Sequence, residues 1–346
     1  MRARDLGLAC GKLPTGPRNS IADVTGVRVG HATVLEGDVR TGVTAILPHP
    51  GDLFRDKPVA AAHVLNGFGK SVGLMQVEEL GQIETPILLT NTFSVPACAN
   101  ALIRHAVAAN PEIGRRTATV NPVVCECNDG YLSDIQAMLV TATDAILAIE
   151  AASDIFGLGA VGAGAGMSCF GFKGGIGSSS RMVTLDGAAH VLGVLVLANF
   201  GRAGDLRLPD GRVLEPASAP ETEKEAGSVI VVAATDVPLD HRQLRRVIRR
   251  AGVGLARCGS FWGHGSGDVF LGFSTANRVP HVATTDLLPM RMLAEEKIDL
   301  LFQAIAEATQ EAVLDALAAA DTTEGRNGHV RPGLRHALSG SGPLPP

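Results

Sequence analysis

His264-Gly265-Ser266-Gly267-Asp268 runs straight into an apolar stretch, VFLGFSTAN, in the last third of the chain. Residues two apart on an extended segment point the same way, so the Ser266 hydroxyl and the Asp268 carboxylate could work as a unit that orients a proton or a nucleophile. A tight turn leading into a strand is the simpler reading of these five residues taken alone. They are not the G-x-S-x-G elbow of α/β-hydrolases, because the fifth position is Asp268 and a strand rather than a helix follows. Tyr131, the only tyrosine, closes Asn128-Asp129-Gly130-Tyr131 directly before a helical pattern. Asn128 and Asp129 can simply build that turn, whereas a phenol at such a corner can also donate to an oxyanion.

Other candidates carry less. Gly157-Leu158-Gly159-Ala160-Val161-Gly162 fits G-x-G-x-x-G, but a helix precedes it and more glycines follow, so no dinucleotide site is expected. The glycine-rich run Gly162–Arg181 suits either a pocket wall or close sheet packing, and Lys173 within it reads as an exposed loop lysine. Cys125 and Cys127 form the one close cysteine pair, without the second pair a zinc site needs, and the ten histidines are scattered, so no metal or other cofactor is expected. Arg242, Arg245, Arg246, Arg249 and Arg250 share one helical side, which reads as a solvated face.

The elements that must position these groups alternate between strand and helix. Strands are predicted at Gly42–Leu47, Pro86–Thr90, Thr117–Val124, Val191–Ala198, Ser228–Ala234 and Val269–Phe273, mostly without polar alternation, as in sheets covered on both faces. Helices are predicted at Ser133–Ala152, Leu239–Ala256 and Arg291–Ala319. The fold class is therefore α/β. From Leu214 to Gly227 the chain is polar, acidic and proline-bearing, and reads as an exposed flexible loop that stops abruptly at the strand starting with Ser228. Residues 321–346 read as a flexible tail, at best a surface strap.

The chain has 346 residues, with 30 Lys+Arg against 35 Asp+Glu and 19% charged residues, which argues against disorder and against a nucleic-acid partner. No uninterrupted apolar run reaches the ~18 residues of a membrane span, and the amino-terminal segment lacks a secretory apolar core, so a cytoplasmic enzyme is expected.

Together these segments resemble the DmpA-type L-aminopeptidase/D-esterase family, which includes the β-peptidyl aminopeptidases. The resemblance is carried end to end by NSIADVTGVRVGHATV, TGVTAILPHPGD, NGFGKSVGLMQVEELGQIETPILLTNT, ECNDGYLSD, GMSCFGFKGGIGSSSR, VLVLANFG, GSVIVVAATDVPL and GHGSGDVFLGFSTAN. It implies a single four-layer α/β/β/α sandwich over residues 1–346, similar to the N-terminal-nucleophile hydrolases. It also implies self-cleavage between Gly227 and Ser228 into chains 1–227 and 228–346, with Ser228 as nucleophile and new amino terminus. Ser266 and Asp268 match the family's second serine and acid, although some members carry glutamate at the latter position. Asn199 matches its oxyanion asparagine and Tyr131 its active-site tyrosine.

The residues suit that chemistry. A freed α-amine titrates near ~8 and can take the serine proton, and a glycine before the serine tolerates the strain of an N-to-O acyl shift. Glu126 and Asp129 are nominated to hold a substrate ammonium. The implied function is a self-processing serine aminopeptidase acting on short peptides, amides or esters, with the protein assembled as a homo-oligomer of αβ heterodimers. The alternatives are hydrolysis of synthetic amide oligomers within the same family, or acyl transfer of the ornithine-acetyltransferase type, against which the serine nucleophile speaks because those enzymes use threonine.

Overall fold

The computed structural model describes residues 1–216 and 227–338. Nine strands of five or more residues carry the fold among these: β1 (Arg28–Glu36), β2 (Val39–Leu47), β3 (Asp56–Gly67), β4 (Ile87–Asn91), β5 (Val123–Cys127), β6 (Gly175–Leu185), β7 (Ala188–Asn199), β8 (Ser228–Thr235) and β9 (Gly267–Pro280). The helices are α1 (Leu74–Leu80), α2 (Val95–Ala109), α3 (Ala142–Glu150), α4 (His241–Ile248), α5 (Ala251–Arg257), α6 (Asp299–Ala319) and α7 (Leu334–Leu338). One sheet runs β1-β2-β4-β5, the other β3-β9-β8-β7-β6.

The two sheets face each other, and each is covered outside by helices. Ile230, Val232 and Ala234 of β8 pack with Ile87, Leu89 and Cys125 of the first sheet. The alternate residues Val229, Val231 and Ala233 pack with α4, α5 and α6. On the far side, Val43, Leu88 and Val124 of the first sheet meet Cys98 and Leu102 of α2 and Ala145 and Ala148 of α3. A strand buried on both faces has no solvent side to alternate toward, which is why β8 is apolar at nearly every position. The expected α/β/β/α layering is present.

Several predicted elements differ in extent. Ser133–Ala152 is α-helical only over α3, with a single 3-10 turn at Ile135–Ala137 before it. Thr141 and Asp144 form a capping box at its start, while Met138 sits at φ 46° and Ser133 Oγ accepts from the Arg40 N–H instead of capping a helix. Leu239–Ala256 breaks into α4 and α5 at Arg249–Arg250, Arg291–Ala319 is α-helical only from Asp299, and the strand expected from Thr117 begins at Val123, after Pro122. Three arginines of the stripe are paired, Arg242 and Arg246 with Glu295 and Arg245 with Glu78, and Arg250 lies over Phe302.

The G-x-G-x-x-G segment follows no strand and opens no α-helix; it is a packing device. A Cβ on Gly159 would lie 2.7 Å from the Ala319 carbonyl, and one on Gly177 of β6 1.8 Å from that of Ala312, so these glycines let α6 lie directly on β6. Buried ion pairs tie the same layers, with Arg181 held by Glu307 at 3.2 Å and Glu311 at 2.8 Å.

The carboxyl-terminal segment corrects the sequence expectation. Residues 321–338 are structured: Thr323–Glu324 pairs with Val330–Arg331, α7 follows, and Arg331 and Leu334 are buried. The remaining residues of the expected tail, 339–346, and residues 217–226 of the expected loop lie outside the described residues.

Candidate active site

β8 lies between β7 and β9, and its first residue fixes the site. Ser228 is opposite Asn199 of antiparallel β7 and beside Gly267 of parallel β9. The Gly267 N–H donates to the Gly227 carbonyl at 3.2 Å, so the carbonyl of the Gly227–Ser228 peptide already meets a backbone donor. Gly227 is glycine for want of space: a Cβ there would lie 2.2 Å from the Asn199 carbonyl oxygen and 2.6 Å from Phe200 Cα. From the opposite sheet, the Cys127 thiol donates to the Leu197 carbonyl at 3.8 Å, and burial pushes that thiol far above its ordinary range. A thiol held neutral in this way adds no competing nucleophile.

Ser266 and Asp268 flank Gly267, both fully buried, and Ser266 Oγ donates to Asp268 Oδ1 at 2.7 Å. The same-face pairing expected from their spacing is therefore present. His264 lies exposed in the preceding turn.

Asn199 is held from both ends of its amide. Its Oδ1 accepts from the Ser168 N–H at 2.9 Å, and its Nδ2 donates to the Asn128 carbonyl at 2.9 Å, one of two hydrogens it can give. Tyr131 belongs to the same loop as Asn128. Its ring stacks on His329 with centroids 4.6 Å apart, and the Arg331 guanidinium lies 3.8 Å from its centroid. Asn128, Tyr131, Asn199 and Gly227 line a cavity of about 410 Å³ with Arg326 and Arg331 of the carboxyl-terminal segment.

The two nominated acids separate. Glu126 is nearly buried one residue before Cys127; its Oε1 accepts from the Lys70 N–H at 2.8 Å and its Oε2 from the Thr92 hydroxyl. Asp129 is a correction: it is wholly buried beneath the loop, where Asn91 Nδ2 donates to its Oδ2 at 3.2 Å, and it cannot meet a substrate there. Burial raises its carboxyl to about 6, against hydrogen bonds from Thr41 and Asn91. Lys173 is a second correction, fully buried rather than exposed, with Nζ donating to the carbonyls of Gly164, Met167 and Gly174 at 2.8–2.9 Å. Burial lowers it to about 7, opposed by the charge of Asp129. Those three bonds shape the loop that presents Ser168 to Asn199. Sequence reasoning missed this support, the Gly267 N–H and both cavity arginines; the only advance signal was their polarity in segments read as loop and tail. Among the described residues, no group of three or more His, Cys, Asp and Glu side chains is arranged to hold a metal ion.

An acyl-transfer site needs a nucleophile, a proton carrier and donors for an oxyanion, and the start of β8 gathers groups of all three kinds. The pattern of peptidase family S58 matches residues 19–331. A β-peptidyl aminopeptidase, BapA of Sphingosinicella microcystinivorans, is 38% identical over 97% of this chain and 90% of its own. A solved β-aminopeptidase from Burkholderia sp. superposes with a TM-score of 0.90 at 40% identity, over the full length of both chains. The L-aminopeptidase D-Ala-esterase/amidase of Ochrobactrum anthropi, described as a prototype serine aminopeptidase with a variant of the Ntn hydrolase fold, superposes with a TM-score of 0.88 at 36% identity over 98% of each chain. With matches of this extent and a serine at the head of the central strand, the chain belongs to peptidase family S58 and is a self-processing serine peptidase of the N-terminal-nucleophile hydrolase fold.

Proposed function

We propose that the chain cuts itself between Gly227 and Ser228, and that Ser228 then removes the amino-terminal residue of short peptides, amides or esters. The observation that carries this reading is the Gly227 carbonyl held by the Gly267 N–H at the start of a central strand, with Ser266 and Asp268 on either side of the donor. In self-cleavage, Ser228 Oγ attacks the Gly227 carbonyl carbon, the C–N bond breaks, and the new α-amine takes a proton. Water then hydrolyses the resulting ester. In turnover, the α-amine accepts the Ser228 hydroxyl proton as the oxygen attacks the substrate carbonyl. The proton passes to the leaving amine or alcohol, and water releases the acyl group.

Ser266 and Asp268 orient the amine, and Asn199, the Gly267 N–H and Tyr131 stabilise the oxyanion. Glu126 receives the substrate ammonium. The cavity volume of about 410 Å³ is near the small end of ligand pockets, ~300–1,000 Å³, which favours short substrates. The reading includes an assembly of processed αβ units, for which the exposed Val282, Leu287, Met290 and Met292 between β9 and α6 suit an interface between copies.

Intact mass tests the reading. Active wild-type protein should consist of chains 1–227 and 228–346, and Ser228→Ala should remain one folded, inactive chain of 346 residues. Fully active wild-type protein in a single chain would overturn it.

A further inference from the structure

Lys173 is fully buried, and its hydrogen bonds lead to the oxyanion site. It stands directly across from Ser168 in a hairpin of Ser168–Cys169 with Phe172–Lys173, whose turn holds Phe170 and Gly171 at positive φ. Its Nζ gives its three hydrogens to the Gly164, Met167 and Gly174 carbonyls. The Met167 bond reaches furthest, because the Met167 carbonyl and the Ser168 N–H belong to one planar peptide. Lys173 Nζ binds one edge of that plane at 2.9 Å, and on the other edge the N–H donates to Asn199 Oδ1 at 2.9 Å. Asn199 Nδ2 then gives one hydrogen to the Asn128 carbonyl, which leaves the second available to a substrate in the cavity that Asn199 and Gly227 both line. Asn199 is also the cross-strand partner of Ser228. Every link from the lysine to the nucleophile's neighbour is therefore a direct bond.

These partners decide which end of the Asn199 amide faces where. Turned by half a revolution, the amide would set Nδ2 against the Ser168 N–H and Oδ1 against the Asn128 carbonyl, and would offer no hydrogen to a developing oxyanion. The Ser168 N–H enforces the productive orientation only while its peptide is held. The Gly174 N–H also binds the Met167 carbonyl at 2.9 Å, so the lysine shares that hold. Burying an amine is costly, and an apolar side chain of similar length would avoid the cost. The hold depends on hydrogens rather than on charge, since a neutral amine still carries two. We propose that Lys173 is a positioning residue for acyl transfer: it fixes the Met167–Ser168 peptide so that the Asn199 amide keeps an N–H directed at the oxyanion. This rests on the reading of Asn199 as an oxyanion donor beside the nucleophile Ser228. Lys173 is buried and acts through Asn199, without touching substrate.

The experiment is a double-variant cycle on processed enzyme with an amino acid p-nitroanilide, with cleavage confirmed by intact mass and folding by thermal melt. Lys173→Met nearly keeps the length and donates nothing. Its kcat should fall by at least about 10-fold, short of the ~10²–10³ for an absent oxyanion donor because Gly174 still binds the peptide, with KM within about threefold of wild type. Lys173→Gln, which retains two N–H groups, should recover part of the loss. Adding Lys173→Met to Asn199→Ala should cost no more than about threefold further, since the group it positions is gone, whereas independent effects would multiply. Where cutting itself is slowed, the same cycle is read on the rate of self-cleavage. Full kcat in folded, processed Lys173→Met, or losses that multiply in the double variant, would overturn the proposal and leave Asn199 in its role. Failure of both lysine variants to fold would assign Lys173 to the fold alone and overturn it as well. Full kcat in Asn199→Ala would instead refute the oxyanion reading, and this proposal with it.

Discussion

Adding one methyl group at Gly227 should separate self-cleavage from folding. The added Cβ would lie 2.2 Å from the Asn199 carbonyl oxygen, more than about 1 Å inside ordinary contact, and the neighbours are backbone that cannot swing aside. If Gly227 retreats by that amount, its carbonyl, now 3.2 Å from the Gly267 nitrogen, leaves hydrogen-bond range. If Asn199 retreats instead, the side-chain donor moves with its backbone. Either route removes one oxyanion donor from the attacked carbonyl, which costs about 10²–10³ in rate. Gly227→Ala should therefore accumulate uncut chain and convert to the two pieces 10²–10³ times more slowly than wild type. A time course by denaturing gel and intact mass reads the rate, and a thermal melt establishes that the uncut variant is folded. Processing within about threefold of wild type by a folded Gly227→Ala protein would refute the argument that this carbonyl must stay where Gly267 holds it.

Asn199→Ala, assayed after confirming cleavage, should lose ~10²–10³ in kcat with a smaller change in KM; full kcat in processed variant would remove Asn199 from the oxyanion site. The kcat/KM profile of wild type should rise along a single ionisation between about pH 6 and 9, the range of a perturbed α-amine, and Asp268→Asn should move that limb to lower pH by removing a neighbouring negative charge. Loss of the limb in His264→Gln, with Asp268→Asn leaving it in place, would instead make His264 the base. Burial raises Asp129 to about 6, so the folded protein keeps this proton longer than the unfolded chain; the carboxyl favours folding at low pH and loses that contribution as pH rises from about 4 to 6. Asp129→Asn should flatten this fall, so that unfolding free energy relative to wild type rises by up to about 3 kcal/mol across that window, below the range where Lys173 titrates. A difference from wild type that does not vary with pH would count against it.

Much of the architecture was legible because the central strands bury both faces and read as continuous apolar runs: β2, β4, β7, β8 and β9 were each visible as such. β6 was not, since GIGSSSRMVTL offers little apolar pattern. Its serines instead bond to carbonyls on neighbouring elements, Ser178 to Val194 and Ser179 to Ala308, and only the packed structure supplies those partners. α2 was overlooked although Pro96 stands in its first turn, a favourable place for proline. At the site, Ser266 and Asp268 were readable from local spacing. Asn199 and Ser228 came from family resemblance, because their meeting depends on which strands become neighbours. Arg326 and Arg331 were hidden by composition: a polar stretch rich in turn formers reads as tail unless something specific receives it, and the loop from Gly130 to Leu132 does.

The order β3-β9-β8-β7-β6 has a consequence for the enzyme's lifetime. A cut before Ser228 assigns β8 and β9 to one piece and β3, β6 and β7 to the other, so the shorter piece contributes two strands enclosed by the longer. Ion pairs from Arg4 and Arg181 to Glu311 cross the same division. Before the cut, an unfolded chain recovers by a unimolecular search at a rate independent of concentration. Afterwards the pieces must find each other by diffusion, each exposing unpaired strand edges that can aggregate first. Maturation thus replaces reversible stability with kinetic persistence: the working enzyme endures for as long as its unfolding barrier holds, and dilution makes each loss final.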